Sequence, residues 1–123
     1  MQEISGAYHY KWHELPIDAP LERLERHRIV GNRMMLARVA LQRGCHVPTH
    51  AHESEQLACV LSGRMRFGLG AEGSPERREV VVQGGEVLHL PSNVPHSADA
   101  LEDSVVLDVF SPVVDATGID RKS

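Results

Sequence analysis

The stretch HAHESEQ, His50 to Gln56, holds two histidines, two glutamates and a glutamine in seven positions. His50 and His52 are two residues apart, so on an extended chain their side chains leave the same side. Gln56 shares that parity, while Glu53 and Glu55 point away. His96 follows 40 residues after Gln56, in PSNVPHS, and joins the group only if the fold returns it there. Imidazole nitrogens suit Zn, Ni, Cu or Fe, and a side-chain amide oxygen is a tolerable fourth ligand. Parity therefore groups His50, His52 and Gln56 as a candidate metal cluster, with His96 as the closing ligand. The alternative reading leaves both histidines as solvated loop residues and Gln56 on a strand surface.

A second chemical signal lies in VVLDVFSP, Val105 to Pro112. Val106, Asp108 and Phe110 share one strand face, and Val105, Leu107 and Val109 the other. A carboxylate inside an apolar strand must be paired or sit at a wet pocket, because burying it bare is costly. Asp108 is thus either a structural partner of Arg33, Arg38 or Arg66, or a general acid/base with a pKa tuned by partial burial.

The elements that must position these groups read as short strands from Ile29 onward. RMMLARVAL (33–41), QLACVLSG (56–63), RMRFGLG (64–70), EVVV (79–82), EVLHLP (86–91) and DSVVLDVF (103–110) are separated by Gly- and Pro-bearing turns. That pattern predicts an all-β antiparallel sandwich or jelly roll. The single helical candidate, PLERLERH (20–27), is too brief to compete. Residues 1–28, with Trp12 in YKWHELP, form an N-terminal arm or edge strand that needs a surface to cover. Residues 29–111 form the barrel and 112–123 a tail. A strand apolar on both faces, as Val105–Phe110 is, needs cover on two sides, which predicts a homodimer.

At 123 residues the chain suffices for one core, and with 41% apolar but 4% aromatic residues that core is aliphatic. No apolar run reaches membrane-span length, and the basic-then-apolar pattern of a signal peptide is missing, so a soluble cytoplasmic protein is expected. The formal charge of −4, with no basic stripe, argues against nucleic acid as a partner. Cys45 and Cys59 lack CxxC spacing and read as reduced packing residues.

GCHVPTHAHESEQLACVLSG sets Gly44, His50, His52, Gln56 and Gly63 in order, and GEVLHLPSNVPHSADA sets Gly85, Pro91 and His96. These resemble the two signature motifs of the cupin superfamily, over roughly residues 29–111. The resemblance implies a small antiparallel β-barrel, a jelly roll in one domain, holding one divalent transition metal: Ni, Zn, Fe or Mn. Three positions depart from the family pattern: Gln56 stands for its Glu, Asn93 for a Gly and Ala100 for an Asn. Asn tolerates the left-handed turn geometry that Gly supplies. With three histidines and an amide, the site keeps a net charge near +2 instead of the +1 that a carboxylate would leave. It should then hold its metal less firmly, polarise a bound oxygen more strongly and favour anionic ligands. Affinity should fall as the histidines protonate below about pH 6.5.

SEQ, VLSG, NVPHSADALEDSVVLDVFSP and the early WHELP together resemble the pectin-degradation cupins, which convert 4,5-unsaturated uronic acids to the linear keto form. That family also carries a Gln in its metal shell. The resemblance implies a proton-transfer role for Asp108 and a substrate-packing role for Phe110. It departs at Val113 and Val114, where the family typically carries an Arg that could clamp a substrate carboxylate. The expected function is a metal-assisted ketonisation or isomerisation of an unsaturated sugar acid. A non-catalytic small-molecule sensor and a mononuclear iron dioxygenase are the alternatives.

Overall fold

The computed structural model describes residues 1–113. Its strands are β1 (Gln2–Ile4), β2 (Ala7–His9), β3 (Leu24–Val30), β4 (Met35–Leu41), β5 (His46–His50), β6 (Glu55–Ser62), β7 (Arg64–Leu69), β8 (Arg78–Gln83), β9 (Glu86–Leu90), β10 (His96–Ala100) and β11 (Ser104–Ser111). One 3-10 turn, Trp12–Glu14, lies between β2 and β3. Among the described residues there is no α-helix, and no helix is long and apolar enough to cross a membrane.

Two antiparallel sheets face each other, in the orders β5-β10-β7-β8 and β3-β4-β11-β6-β9. This is the jelly roll that the strand pattern predicts. Alternation sets the core: Ser104, Val106, Asp108 and Phe110 of β11 are buried, while Val105, Leu107 and Val109 are half-buried on the other face. Leu24, Val39, Leu41, Val60, Met65 and Phe67 fill the space between the sheets. Each large aliphatic side chain removed from water contributes roughly 1.5–3 kcal/mol. Cys45 is in this core and Cys59 half-buried outside it; both are free thiols whose pKa burial pushes up.

The first strand of the two facing sheets, β3, begins at Leu24, so the five-stranded sheet has its edge within the segment read as an arm or edge strand. PLERLERH accordingly ends in strand, with Leu24 and Arg26 facing inward. Arg26 is 2% exposed and tolerates burial because Asp18 meets its guanidinium at two points, Nε–Oδ1 3.0 Å and Nη2–Oδ2 2.7 Å. Those bonds hold the Asp18 carboxyl below its usual range.

Signature turns take the geometry their residues allow. Gly63 has φ +86°, and a Cβ there would collide with Ser104 and the Asp103 carbonyl. Asn93 has φ +65°, the left-handed turn expected for it. Its backbone N–H donates to the His52 carbonyl at 2.8 Å, tying the loop before β10 to the loop carrying His52.

Candidate metal centre

HAHESEQ is not one unbroken strand. β5 ends at His50, residues 51–54 turn, and β6 starts at Glu55. The alternation nevertheless survives the turn: His50, His52, Ser54 and Gln56 are buried, and Ala51, Glu53 and Glu55 are exposed. His50 therefore comes from one sheet, Gln56 from the other, and His52 from the loop between them. His96, the first residue of β10, stands directly opposite His50 in register.

One ligand nitrogen from each of His50, His52 and His96 lies within 4.8 Å of the others. The His50 and His96 rings sit 4.3 Å apart and those of His52 and His96 5.1 Å apart, so the three imidazoles converge. Each ring is held through Nδ1 by a backbone carbonyl two residues away: Pro48 for His50 at 2.7 Å, Ser54 for His52 at 2.9 Å, Val94 for His96 at 2.9 Å. A carbonyl oxygen only accepts, so each Nδ1 carries the hydrogen and each neutral ring keeps its lone pair on Nε2. Fixing tautomer and ring angle this way is what a metal-ligating histidine requires.

Gln56 completes the arrangement. Its amide nitrogen donates to Asp108 Oδ1 at 2.9 Å, which turns its Oε1 toward His52 Nε2, 3.1 Å away. Two lone-pair atoms then face each other, a contact that a cation between them, or a proton on His52, would satisfy. The donor set therefore fits a divalent metal held by His50, His52, His96 and the Gln56 oxygen.

Asp108 is 6% exposed. Among the described residues no arginine pairs with it; Gln56 is its hydrogen-bond partner, so the structural salt bridge is not formed. Arg38 lies on the opposite face of β4, and Arg66 in the other sheet pairs with Glu79 and Asp99. Burial pushes the Asp108 carboxyl up to about 6, with the Gln56 bond opposing. Burial likewise lowers His96 to about 4, opposed by the Val94 carbonyl and reinforced by the two neighbouring histidines. His96 thus stays neutral, and competent as a ligand, to lower pH than an ordinary histidine.

Phe110 packs edge-on against His52, with centroids 5.6 Å apart at 73°. A cavity of about 40 Å³ is bounded by His50, Gln56, His96, Asp108 and Phe110 and continues along Val39, Val47 and Met65; among the described residues its lining contains no lysine or arginine. Val113 packs partly against the core, while Val114 and the rest of the tail to residue 123 lie outside the described residues. Sequence reasoning missed Ser54, which is fully buried and whose carbonyl and hydroxyl both meet His52 Nδ1. Its parity with His52 and Gln56 was the available signal.

Comparisons with known proteins agree with this geometry. The chain is similar to a solved structure of KdgF from a Halomonas species, at 28% identity and TM-score 0.77, covering 89% of this chain and 96% of that one. An RmlC-like cupin from Shewanella frigidimarina aligns at 20% identity and TM-score 0.77, covering 89% and 95%. An oxalate decarboxylase from Lactobacillus farciminis aligns at 16% identity and TM-score 0.74 over 84% of this chain, which spans 32% of that one; these two likenesses concern the fold. None of the curated proteins matches. Residues 37–110 match the family model described as Cupin domain, and the chain belongs to that family.

Proposed function

We propose that this chain is a divalent-metal-binding cupin that assists the ketonisation or isomerisation of an unsaturated uronate. The observation that carries the reading is Asp108, a buried carboxyl with a pKa raised to about 6, bonded to the Gln56 amide beside three converging histidines. A carboxyl near 6 is available as both acid and base close to neutral pH, which an isomerisation requires. The likeness to KdgF agrees with the sequence resemblance to uronate-ketonising cupins.

A metal bound by His50, His52, His96 and Gln56 would supply Lewis-acid polarisation of a ligand oxygen. The chain's own residues do the rest. Asp108 takes the proton from the anomeric hydroxyl as the bond from C1 to the ring oxygen breaks, leaving an aldehyde at C1 and an enolate at C5, and returns that proton to C4, so the substrate is rearranged without net oxidation. Phe110 and the apolar cavity wall exclude water around that carboxyl and keep its pKa high. An unsaturated uronate absorbs in the ultraviolet through its conjugated double bond. Metal-loaded protein should accelerate loss of that absorbance, and chelator-treated protein should not. Equal rates with and without protein would remove the ketonising role.

A second reading, ligand binding without turnover, is favoured by a cavity lining that, among the described residues, holds no guanidinium, and by Val113 where an arginine would clamp a carboxylate. It predicts a raised melting temperature with a small anionic sugar acid and no change in absorbance.

A further inference from the structure

His96 opens a strand, HSADA, that has no β-branched or aromatic residue to hold it. Both of its neighbours in the chain are instead tied to one guanidinium outside the barrel. The Gly70 N–H donates to the Pro95 carbonyl at 2.9 Å. Arg77 Nη2 donates to the hydroxyl of Ser97, a residue 4% exposed, at 2.8 Å. Arg77 Nη1 donates to the Gly70 carbonyl at 2.6 Å, which closes the circuit around His96. Alternation sends His96 and Ala98 inward and Ser97 to the outer face, so Arg77 works from the side of the sheet away from the histidines.

The chain makes room for this guanidinium. Gly68 pairs directly with Ser97, and a Cβ on Gly68 would collide with the Arg77 side chain and the Ser97 hydroxyl. The missing side chain on β7 is the seat of Arg77.

The same cluster reaches His50. From Val47 to His50 β5 takes three steps, where β10 takes two from Ala98 to His96, so the ladder carries a bulge at Pro48 and Thr49. Pro48 has no N–H to give, and among the described residues β10 is the one strand paired with β5. Thr49 Oγ1 donates to Glu72 Oε1 at 2.6 Å, and that oxygen lies 3.3 Å from Arg77 Nη2.

We propose that Arg77 is a positioning residue for the metal centre, setting the spacing of His96 and His50 through Ser97 and Gly70 on one arm and Glu72 and Thr49 on the other. The role rests on the reading of the three histidines as metal ligands. The arms differ in weight. Glu72 is 71% exposed, so water and salt weaken that ion pair, whereas the bond to Ser97 is shielded. Ligands must be held to within about 0.5 Å, so slack beside His96 should be felt at the metal.

The test uses Co2+, whose visible absorption reports coordination geometry as well as occupancy. Chelator-stripped full-length protein is titrated with it, and the metal-free protein is unfolded in urea alongside. The native chain should bind one Co2+. Arg77→Ala and Ser97→Ala should each bind it at least about tenfold more weakly, with a shifted visible band. Ser97→Ala keeps the guanidinium in place and decides the matter if Arg77→Ala fails to fold. Thr49→Val should weaken binding less than Ser97→Ala does. Arg78→Ala removes a guanidinium from the neighbouring position, bonded to the Pro75 and Arg77 carbonyls, and should match the native chain. Native affinity and an unshifted band in Arg77→Ala and Ser97→Ala, with a lowered urea midpoint alone, would overturn the proposal and leave the cluster a clasp for the fold. No Co2+ uptake by the native chain would overturn the ligand reading itself, and the proposal with it.

Discussion

Gln56 and Asp108 sit on neighbouring strands, and the bond from the Gln56 amide nitrogen to Asp108 Oδ1, 2.9 Å long, decides which end of that amide faces the histidines. Without it the amide could turn its NH2 group toward His52 and present hydrogens where a cation needs an oxygen. Asp108 therefore has a positioning role alongside its proposed proton-transfer role, and the two can be separated.

Asparagine at position 108 can still accept from Gln56 through its amide oxygen but cannot carry the proton. Asp108→Asn should keep metal affinity within about threefold while turnover is lost. Asp108→Ala removes the acceptor and should cost about 10–100-fold in metal affinity, the usual size of an outer-partner effect. Calorimetric metal titration of both variants reads the difference.

Replacing the neutral amide with a carboxylate should tighten the site and disturb its partner. Gln56→Glu adds a negative charge to the ligand set, raising metal affinity by roughly tenfold. It also places two carboxyls together in a buried site, so one must hold a proton and the acidic limb of any activity profile should move to higher pH. A metal affinity equal to or weaker than that of the native chain would count against Gln56 as a ligand.

Acid stability of the metal-free protein has two opposing arms. Asp108, raised from 3.8 to about 6, is neutral in both states below pH 3.8. Its contribution is lost as pH rises to about 6, roughly 3 kcal/mol in all. His96, lowered from 6.5 to about 4, is neutral in both states above pH 6.5 and loses a similar amount as pH falls to about 4. Asp108→Asn removes only the first arm. It should exceed the native chain in stability at pH 7 and match it near pH 4, as read by urea denaturation. A constant difference across that range would remove the raised Asp108 pKa.

Gly63 should tolerate no side chain. Its φ of +86° and the crowding by Ser104 and Asp103 combine strain with collision, so Gly63→Ala should cost at least about 2 kcal/mol. Gly85 also has a positive φ (+93°) but faces open space. Gly85→Ala should cost about 1 kcal/mol, and comparison of the two melting temperatures separates the two causes.

Much of this site was legible because side-chain parity outlasts the strand that suggests it. His50, His52 and Gln56 keep their common side across residues 51–54, where the backbone turns. Asp108 and Phe110 were legible for the same reason in β11. Less of the frame around them was. β10, HSADA, has no β-branched or aromatic residue and is a strand because β5 and β7 pair with it on both sides. β5 carries Pro48, which its edge position in the sheet tolerates. β3 reads as charged and helical until Asp18 is seen to neutralise the inward Arg26. Long-range pairing decided each of these, and a local window does not contain it. The pKa of His96 was equally hidden, since its burial depends on residues 44–46 positions away in the sequence.

On this geometry His50, His52, Gln56 and His96 should hold one divalent metal. That binding is tested most directly by titrating chelator-stripped protein with Ni2+ or Zn2+ in a calorimeter, beside His96→Ala and His50→Ala. The native protein should bind one metal per chain, and both variants should lose that site with their circular dichroism unchanged. Undiminished binding in the two variants, or no binding by the native chain at neutral pH, would contradict it.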